Sequence, residues 1–369
     1  MSSNRTRQFI RLLLALPLLI ASLGFAGPAA AGQWKDGLYI AGWPFLLNTY
    51  AYKVWLPSGY DASLLAGRKL PVMLLLHGCT SDPENMAEVS RMNELADREG
   101  FIVVYPRQPI LRNPMRCWNF YQPENQARDS GEPGAIQAIL QEAMNTYSRV
   151  VDRNRVYVAG ISAGGAMTAT MAACYPEVFA AAAVHSGGMY KAATDPLHGL
   201  ETLLTGSSAD PDVRGQDAWE CGGRQARLMP LLVFHGTADA VVNPKNGKQV
   251  AQQFVQLDDI ADDARDNDSV PFQSPAGQVS YDDGFKRNLP SSTESIAGTA
   301  DKHAYRKENY LSADKTKILV QMYTIDGMNH AWSGGKPGML FSDPQGPDAS
   351  RITWDFFKAY TLDGNVAPR

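Results

Sequence analysis

The stretch Arg155-Val-Tyr-Val-Ala-Gly-Ile-Ser-Ala-Gly-Gly-Ala166 decides how the rest of this 369-residue chain is read. It opens as a short β-branched and aromatic strand and passes directly into an Ala-rich helix that runs on through Cys174. At the junction, Gly160-Ile161-Ser162-Ala163-Gly164 fits G-x-S-x-G, the pattern of a sharp strand-to-helix turn that lifts a serine hydroxyl above the strand ends. Small residues two before and two after the serine are needed because the backbone crowds there. Ser162 then stands at a helix N-terminus, where the Ala163 amide is free to donate to developing negative charge.

Outward from this turn, strands and helices alternate. Tyr50-Ala-Tyr-Lys-Val-Trp-Leu-Pro57 alternates like a half-buried strand, and Lys69-Leu-Pro-Val-Met-Leu-Leu-Leu-His77 reads as a fully buried one. A polar, helix-forming stretch from Glu84 to Glu99 leads to a third strand, Gly100 to Tyr105. Ile136, Ile139, Leu140, Ala143, Met144 and Tyr147 mark the apolar face of a helix packed on a sheet. Further strands are expected at Ala180 to His185, Pro230 to His235 and Lys317 to Ile325, and a last helix near Asp348 with Ile352, Phe356 and Phe357 inward. This order predicts an α/β fold with a mostly parallel, doubly wound sheet covered by helices on both faces. Residues 256–309 break the pattern: a long polar insertion, read as a lid or a decorated loop. Its Asp258, Asp259, Asp262, Asp263, Asp266 and Asp268 read as a solvated acidic helix face, because their spacing is not that of a calcium loop.

A serine hydroxyl is a poor nucleophile without a base within hydrogen-bond reach. Of the six histidines, His77 and His235 follow apolar strands in His-Gly turns, His185 ends a strand, and His198 and His303 lie in polar stretches. His330 follows the last strand and the turn Asp326-Gly-Met-Asn329, where a loop reaches over the serine, so it is the expected base. The acid that orients it must fall between 162 and 330, after a strand; Asp239 meets both demands and Asp326 is the rival. The second oxyanion donor is expected from His77-Gly78-Cys79-Thr80, as the Cys79 amide. Such chemistry needs no cofactor and no metal.

Arg5, Arg7 and Arg11, an apolar run from Leu12 to Phe25 and then Ala29-Ala30-Ala31 have the order of a cleaved secretory signal over residues 1–31. The 14-residue run is too short to span a membrane. Residues 32–369 are then expected to form a single catalytic domain, exported to the periplasm or the medium. Loss of three arginines takes the net charge from −4 to −7, which suits a neutral substrate and argues against nucleic acid or an anionic membrane as partner. Four cysteines, Cys79, Cys117, Cys174 and Cys221, are an even number for an oxidising compartment and allow three pairings. No CxxC or HxxxH spacing supports a zinc site.

With these pieces assembled, the chain resembles the polyhydroxybutyrate depolymerase and feruloyl-esterase-like group of α/β-hydrolases. The matching stretches are Leu76-His-Gly-Cys79, Cys117-Trp-Asn119, the 155–166 segment, Tyr175-Pro-Glu-Val-Phe179, Val233-Phe-His-Gly-Thr-Ala-Asp239, Asn329-His-Ala-Trp-Ser-Gly-Gly335 and Gly346-Pro-Asp-Ala-Ser350. The resemblance implies an α/β-hydrolase fold, a Ser162, Asp239, His330 triad, Cys79 and Ala163 as oxyanion donors, and Cys79 bonded to Cys117; Cys174 with Cys221 is the other expected pairing. Trp118 and Trp332 would line an apolar acyl cleft. A monomeric serine esterase acting on 3-hydroxyalkanoate polymer or oligomers is the expectation, with hydrolysis of oxidised polyvinyl alcohol or of feruloyl or acetyl-xylan esters as alternatives and a noncatalytic binding protein as a remote one. Two departures stand out: the 91-residue interval from acid to base (330 minus 239), and an end close after the last helix without a linker and adsorption module. Both direct the expectation towards soluble polymer and short oligomers.

Overall fold

Uninterrupted apolar runs form the middle of a sheet, as their burial on both faces requires. The computed structural model describes residues 31–42, 48–273, 278–282 and 284–364; residues 1–30 of the expected signal segment lie outside them. Strands β1 (Gln33–Ile40), β2 (Thr49–Leu56), β3 (Leu70–Leu76), β4 (Ile102–Pro106), β5 (Val151–Ile161), β6 (Ala181–His185) and β7 (Leu231–Gly236) follow one another along the chain. After them come β8 (Val279–Asp282), β9 (Phe285–Asn288), β10 (Ser292–Ile296), β11 (Tyr305–Leu311) and β12 (Ile318–Ile325). All but β8 and β9, which pair with each other, join one ten-stranded sheet in the order β1-β2-β4-β3-β5-β6-β7-β12-β11-β10. From β4 to β12 the strands are parallel, and antiparallel pairs close both edges. The mostly parallel, doubly wound α/β reading of the sequence is correct.

The helices are α1 (Tyr60–Leu65), α2 (Pro83–Ser90), α3 (Met92–Glu99), α4 (Gly131–Thr146), α5 (Ala163–Cys174), α6 (Pro196–Thr205), α7 (Pro211–Gly222), α8 (Lys245–Asp263) and α9 (Ala349–Phe357). Alternation along β3 splits the core in two. Leu70, Val72, Leu74 and Leu76 pack with α4, α5 and α8, while Met73 and Leu75 pack with α2, α3 and α9. Helix α5 is buried at all twelve positions, so its Ala-rich composition reflects close approach to the sheet on one side and to other helices on the other. Asp348 caps α9 by accepting from the Arg351 amide at 3.0 Å, and Phe357 stacks on Tyr157 of β5 at 4.8 Å.

The chain leaves β3 for β4 on one side and returns to β5 on the other. That reversal opens a crevice at the carboxyl ends of β3 and β5, the place where doubly wound sheets bind ligands.

Three expectations need correction. The polar stretch from Glu84 to Glu99 is two helices, broken where Arg91 adopts a left-handed φ of 56° and Ser90 Oγ bonds back to Met86 O at 2.7 Å. The insertion, expected as a lid or a decorated loop, is built largely of regular elements among its described residues: its first residues finish α8, β8 and β9 make a hairpin, and β10 and β11 extend the sheet. Asp258 and Asp259 are fully buried rather than solvated. Asp258 accepts from the Met229 amide at 2.7 Å, and Asp259 accepts from the amides of Asn267, Asp268 and Val270, closing the turn after α8.

The cysteines form Cys79–Cys117 and Cys174–Cys221 bridges. The second ties the last residue of α5 to α7 across 47 positions, a loop whose closure restricts the unfolded chain. Replacing both Cys174 and Cys221 by Ser should lower the unfolding free energy by about 4 kcal/mol on the chain-entropy estimate. Urea titration of the two forms at pH 7 measures this, and an unchanged midpoint would refute it.

Candidate active site

The turn from β5 into α5 is as tight as the sequence implies. A Cβ on Gly164 would lie 2.4 Å from His77 O and 2.5 Å from Leu76 O, and one on Gly160 would lie 2.4 Å from Gly164 O. With both side chains absent, α5 crosses close over β3, and Ser162 sits at φ 60° and ψ −126°, a region that a residue bearing a side chain occupies only under constraint. Its amide donates to His185 O at 3.0 Å, which pins the turn to β6.

The loop after β3 lies against the serine, since a Cβ on Gly78 would come within 3.2 Å of Ser162 Cβ. Cys79 is bridged to Cys117, and Thr80 N donates to Met115 O at 2.6 Å, so two bonds fasten this loop to residues 115–117. Behind it, His77 Nδ1 donates to Gly78 O at 2.7 Å and Nε2 accepts from the Gln108 amide at 3.1 Å. Burial holds the His77 imidazole down at about 4, so the ring is a neutral strut with a fixed tautomer. The buried Glu132 accepts from Asn119 N at 2.7 Å and from the Gln108 side chain at 2.5 Å, joining both sides of the same support.

Asp239 and His330 meet from the loops after β7 and β12. His330 Nδ1 donates to Asp239 Oδ2 at 2.8 Å. Asp239 Oδ1 accepts from Val241 N at 3.0 Å and Val242 N at 2.8 Å. Burial works against the charged carboxylate, but the His330 hydrogen bond and charge, together with the Val242 amide, outweigh it and hold Asp239 below the ordinary carboxylate range. The two loops are also stitched by Ala238 N to Met328 O at 3.1 Å and by Ala240 N to Asn329 Oδ1 at 3.2 Å. Asp326, the rival acid, is exposed in the turn and makes no contact with His330 among the described residues.

Two further histidines serve as supports that sequence reasoning did not separate from loop geometry. His235 Nε2 donates to Val242 O at 2.8 Å, under the acid loop. His185 lies between Phe234 and Trp332 at 5.4 and 5.0 Å, and its Nε2 accepts from Ser333 N at 3.0 Å, just past His330. Burial, helped by the neighbouring His235 and His330, keeps His185 at about 3.

Ser162 and His330 open onto one cavity of about 200 Å³, walled by Met86, Val89, Ile161, Leu203, Val241 and Phe341 beside Gly78 and Cys79. Among the described residues, no carboxylate, lysine or arginine lines it. The Ser162 hydroxyl makes no hydrogen bond to His330 among the described residues; such contacts often tighten only around substrate. Cys79 borders the same space and Ala163 follows Ser162 as the first residue of α5; neither amide donates to a described protein group. An oriented imidazole and a serine beside an apolar cavity are parts that acyl transfer requires.

The family model described as Esterase PHB depolymerase matches residues 50–269, about 60% of the chain. The chain belongs to that esterase family. Among its relatives, poly(3-hydroxyalkanoate) depolymerase C of Paucimonas lemoignei is 31% identical over 313 residues, 84% of this chain and 62% of the relative. The chain thus spans less than two thirds of that depolymerase. Feruloyl esterase B of Neurospora crassa is 29% identical over 72% of this chain and 88% of its own length. Among solved structures, an acetyl xylan esterase from Aspergillus awamori superposes with a TM-score of 0.63 at 20% identity, covering 88% of this chain and 99% of its own, a likeness of fold. The family match contains Ser162 and Asp239 and stops before His330, whose place rests on its hydrogen bond to Asp239.

The two tryptophans expected to line the cleft do not reach it. Trp118 is fully buried with Nε1 donating to His77 O at 3.1 Å, and Trp332 is buried with Nε1 donating to Ser350 Oγ at 3.0 Å. Each indole finds its polar partner behind the site, and Leu203, Val241 and Phe341 supply the walls instead. Leu340-Phe341, an apolar pair in an otherwise polar loop, was the available sequence signal for one of them.

Acid should destabilise this fold through its neutral histidines. His77 and His185 refuse protons in the folded state until about pH 4 and 3, whereas the unfolded chain takes them up from the ordinary imidazole value of 6.5. The unfolded state therefore binds more protons as pH falls below 6.5, and stability declines through the window from 6.5 to 4. Urea midpoints measured across that window should fall, with a shallower slope in His77→Asn, which has no proton to gain; equal slopes would refute the assignment.

Proposed function

We propose that this protein is an exported serine esterase that cleaves neutral aliphatic esters, 3-hydroxyalkanoate oligomers or soluble polymer, as a monomer through an acyl-enzyme. The reading is carried by the Asp239–His330 hydrogen bond of 2.8 Å beside a constrained serine in an apolar cavity. His330 takes the Ser162 proton as Oγ attacks the ester carbonyl, and the amides of Cys79 and Ala163 receive the oxyanion. Collapse of the tetrahedral intermediate expels the alcohol, which leaves with the proton held by His330. Water, deprotonated by the same imidazole, then attacks the acyl-serine and frees the acid. Asp239 keeps its charge throughout and stabilises the imidazolium.

The relationship to a depolymerase and the charge-free cavity support an aliphatic acyl group. The feruloyl esterase relative supports a second reading, an ester of a plant cell-wall polysaccharide. Two disulfides support export, because such bonds persist in oxidising compartments.

Ser162→Ala should lower kcat by on the order of 10⁴ to 10⁶. An organophosphate should label the folded protein at Ser162 and leave the variant unlabelled; more than a tenth of the activity surviving in the variant would displace the nucleophile. Comparing turnover of 3-hydroxybutyrate oligomers, feruloyl and acetyl-xylan esters and oxidised polyvinyl alcohol would rank the substrates, with the oligomers expected to be fastest.

A further inference from the structure

The turn between β10 and β11 reaches the loops on either side of His330. Asp326 N donates to Ala304 O at 2.9 Å, which fastens the turn to the end of β12 from which the His330 loop departs. His303 N donates to Gln345 O at 3.0 Å and Lys302 Nζ to Pro344 O at 2.7 Å, which fastens it to the loop that follows. The one bond between side chains in this set runs from His303 Nε2 to Asp343 Oδ2, at 2.9 Å. The other oxygen of Asp343 accepts from Gln345 N at 2.8 Å, so this carboxylate joins the insertion to the internal turn of the loop.

That loop carries Phe341, two residues before Asp343. Phe341 walls the cavity and meets His330 edge to face at 6.0 Å. Its φ is 60°, a left-handed conformation that an aromatic residue keeps only when its surroundings hold it. Trp332 N to Phe341 O and Gly334 N to Asp343 O, both at 2.8 Å, hold one side of the loop, and His303 with its neighbours holds the other. His330 has an independent restraint in Asp239. Loss of the insertion's grip should therefore free the cleft wall before it disturbs the base.

We propose that His303 is a positioning residue: through Asp343 it keeps Phe341 in place as a wall of the ester cleft, so that the insertion braces substrate binding from outside. This rests on the esterase reading above. None of residues 299–304 lines the cavity, so the effect passes through the loop and not through contact with substrate.

The test compares steady-state hydrolysis of p-nitrophenyl butyrate by the wild type, His303→Ala, His303→Gln, Asp343→Ala and the Ala/Ala double variant, with thermal unfolding as the check on folding. His303→Ala should raise KM about three- to ten-fold, the scale of one lost ordinary hydrogen bond, and leave kcat within about two-fold. His303→Gln keeps a donor at the same reach and should restore KM to within about two-fold of wild type. The double variant should show no KM beyond that of Asp343→Ala alone, as expected of a coupled pair. An unchanged KM in folded His303→Ala, a fall in kcat without a rise in KM, failure of Gln to restore, or full additivity would each overturn the brace. Wild-type protein that neither turns over the ester nor takes an organophosphate label would instead overturn the esterase reading.

Discussion

The close crossing of α5 over β3 is the constraint on which the rest of the site depends. Two residues without side chains, Gly160 and Gly164, let the helix backbone come within about one atom's diameter of the carbonyls of Leu76 and His77. That approach forces Ser162 into its unusual backbone conformation and aims the first turn of α5 at the crevice beside β3. The strain is sustained by packing, because α5 is buried along its whole length and a buried helix cannot relax alone. Ser162 and the loop after β3 are therefore set by the same contact: Gly78 lies against Ser162, and Cys79 follows it.

Around this crossing, neutral imidazoles do structural work and one carboxylate keeps its charge. His77, His185 and His235 are each buried and hydrogen-bonded to backbone groups of the loops that deliver Cys79, His330 and Asp239. A charged ring in any of these places would lose its hydration, a cost that outweighs even Asp239 Oδ2 at 3.5 Å from His235 Nε2, and their lowered titration follows from that. Asp239 differs because two amides and His330 surround its oxygens. The contrast separates the imidazole that shares a hydrogen bond with a carboxylate and opens to the cavity from those that bond to the main chain.

Much of this was legible in the sequence, for reasons that also explain the misses. Leu70 to Leu76 and Leu231 to Gly236 are buried on both faces, so their apolar runs announce strands without help from context. β1 is half-exposed Gln-Trp-Lys-Asp-Gly-Leu-Tyr-Ile at the sheet edge, and it has no comparable run; it was not foreseen. The meeting of Asp239 with His330 follows from chain order, because both stand on loops after strands that are neighbours in the sheet. Trp118 and Trp332 were misjudged because an aromatic beside a functional residue in sequence can point to the back of the site, as both indoles do. Leu203 comes from helix α6 and Val241 from the loop after β7, and only the assembled fold brings them together.

The long interval between acid and base has a topological explanation. Asp239 and His330 sit after β7 and β12, which are neighbours in the sheet and pair in parallel from Leu231 with Val320 to Gly236 with Ile325. A parallel pair needs a crossover, and α8 alone would supply one. The chain adds β8 to β11 after α8 and so reaches β12 from the far edge, with β11 and β10 laid antiparallel beyond it. This leaves the acid and base in place, since their spacing is fixed by adjacent parallel strands and not by the number of residues between them. It also converts the exposed side of β12 into a paired strand and moves the sheet edge out to β10, where Glu294 faces Lys307 across the last ladder. An insertion between Asp239 and His330 is accommodated when it extends the sheet beyond β12 and leaves the pairing of β7 with β12 intact.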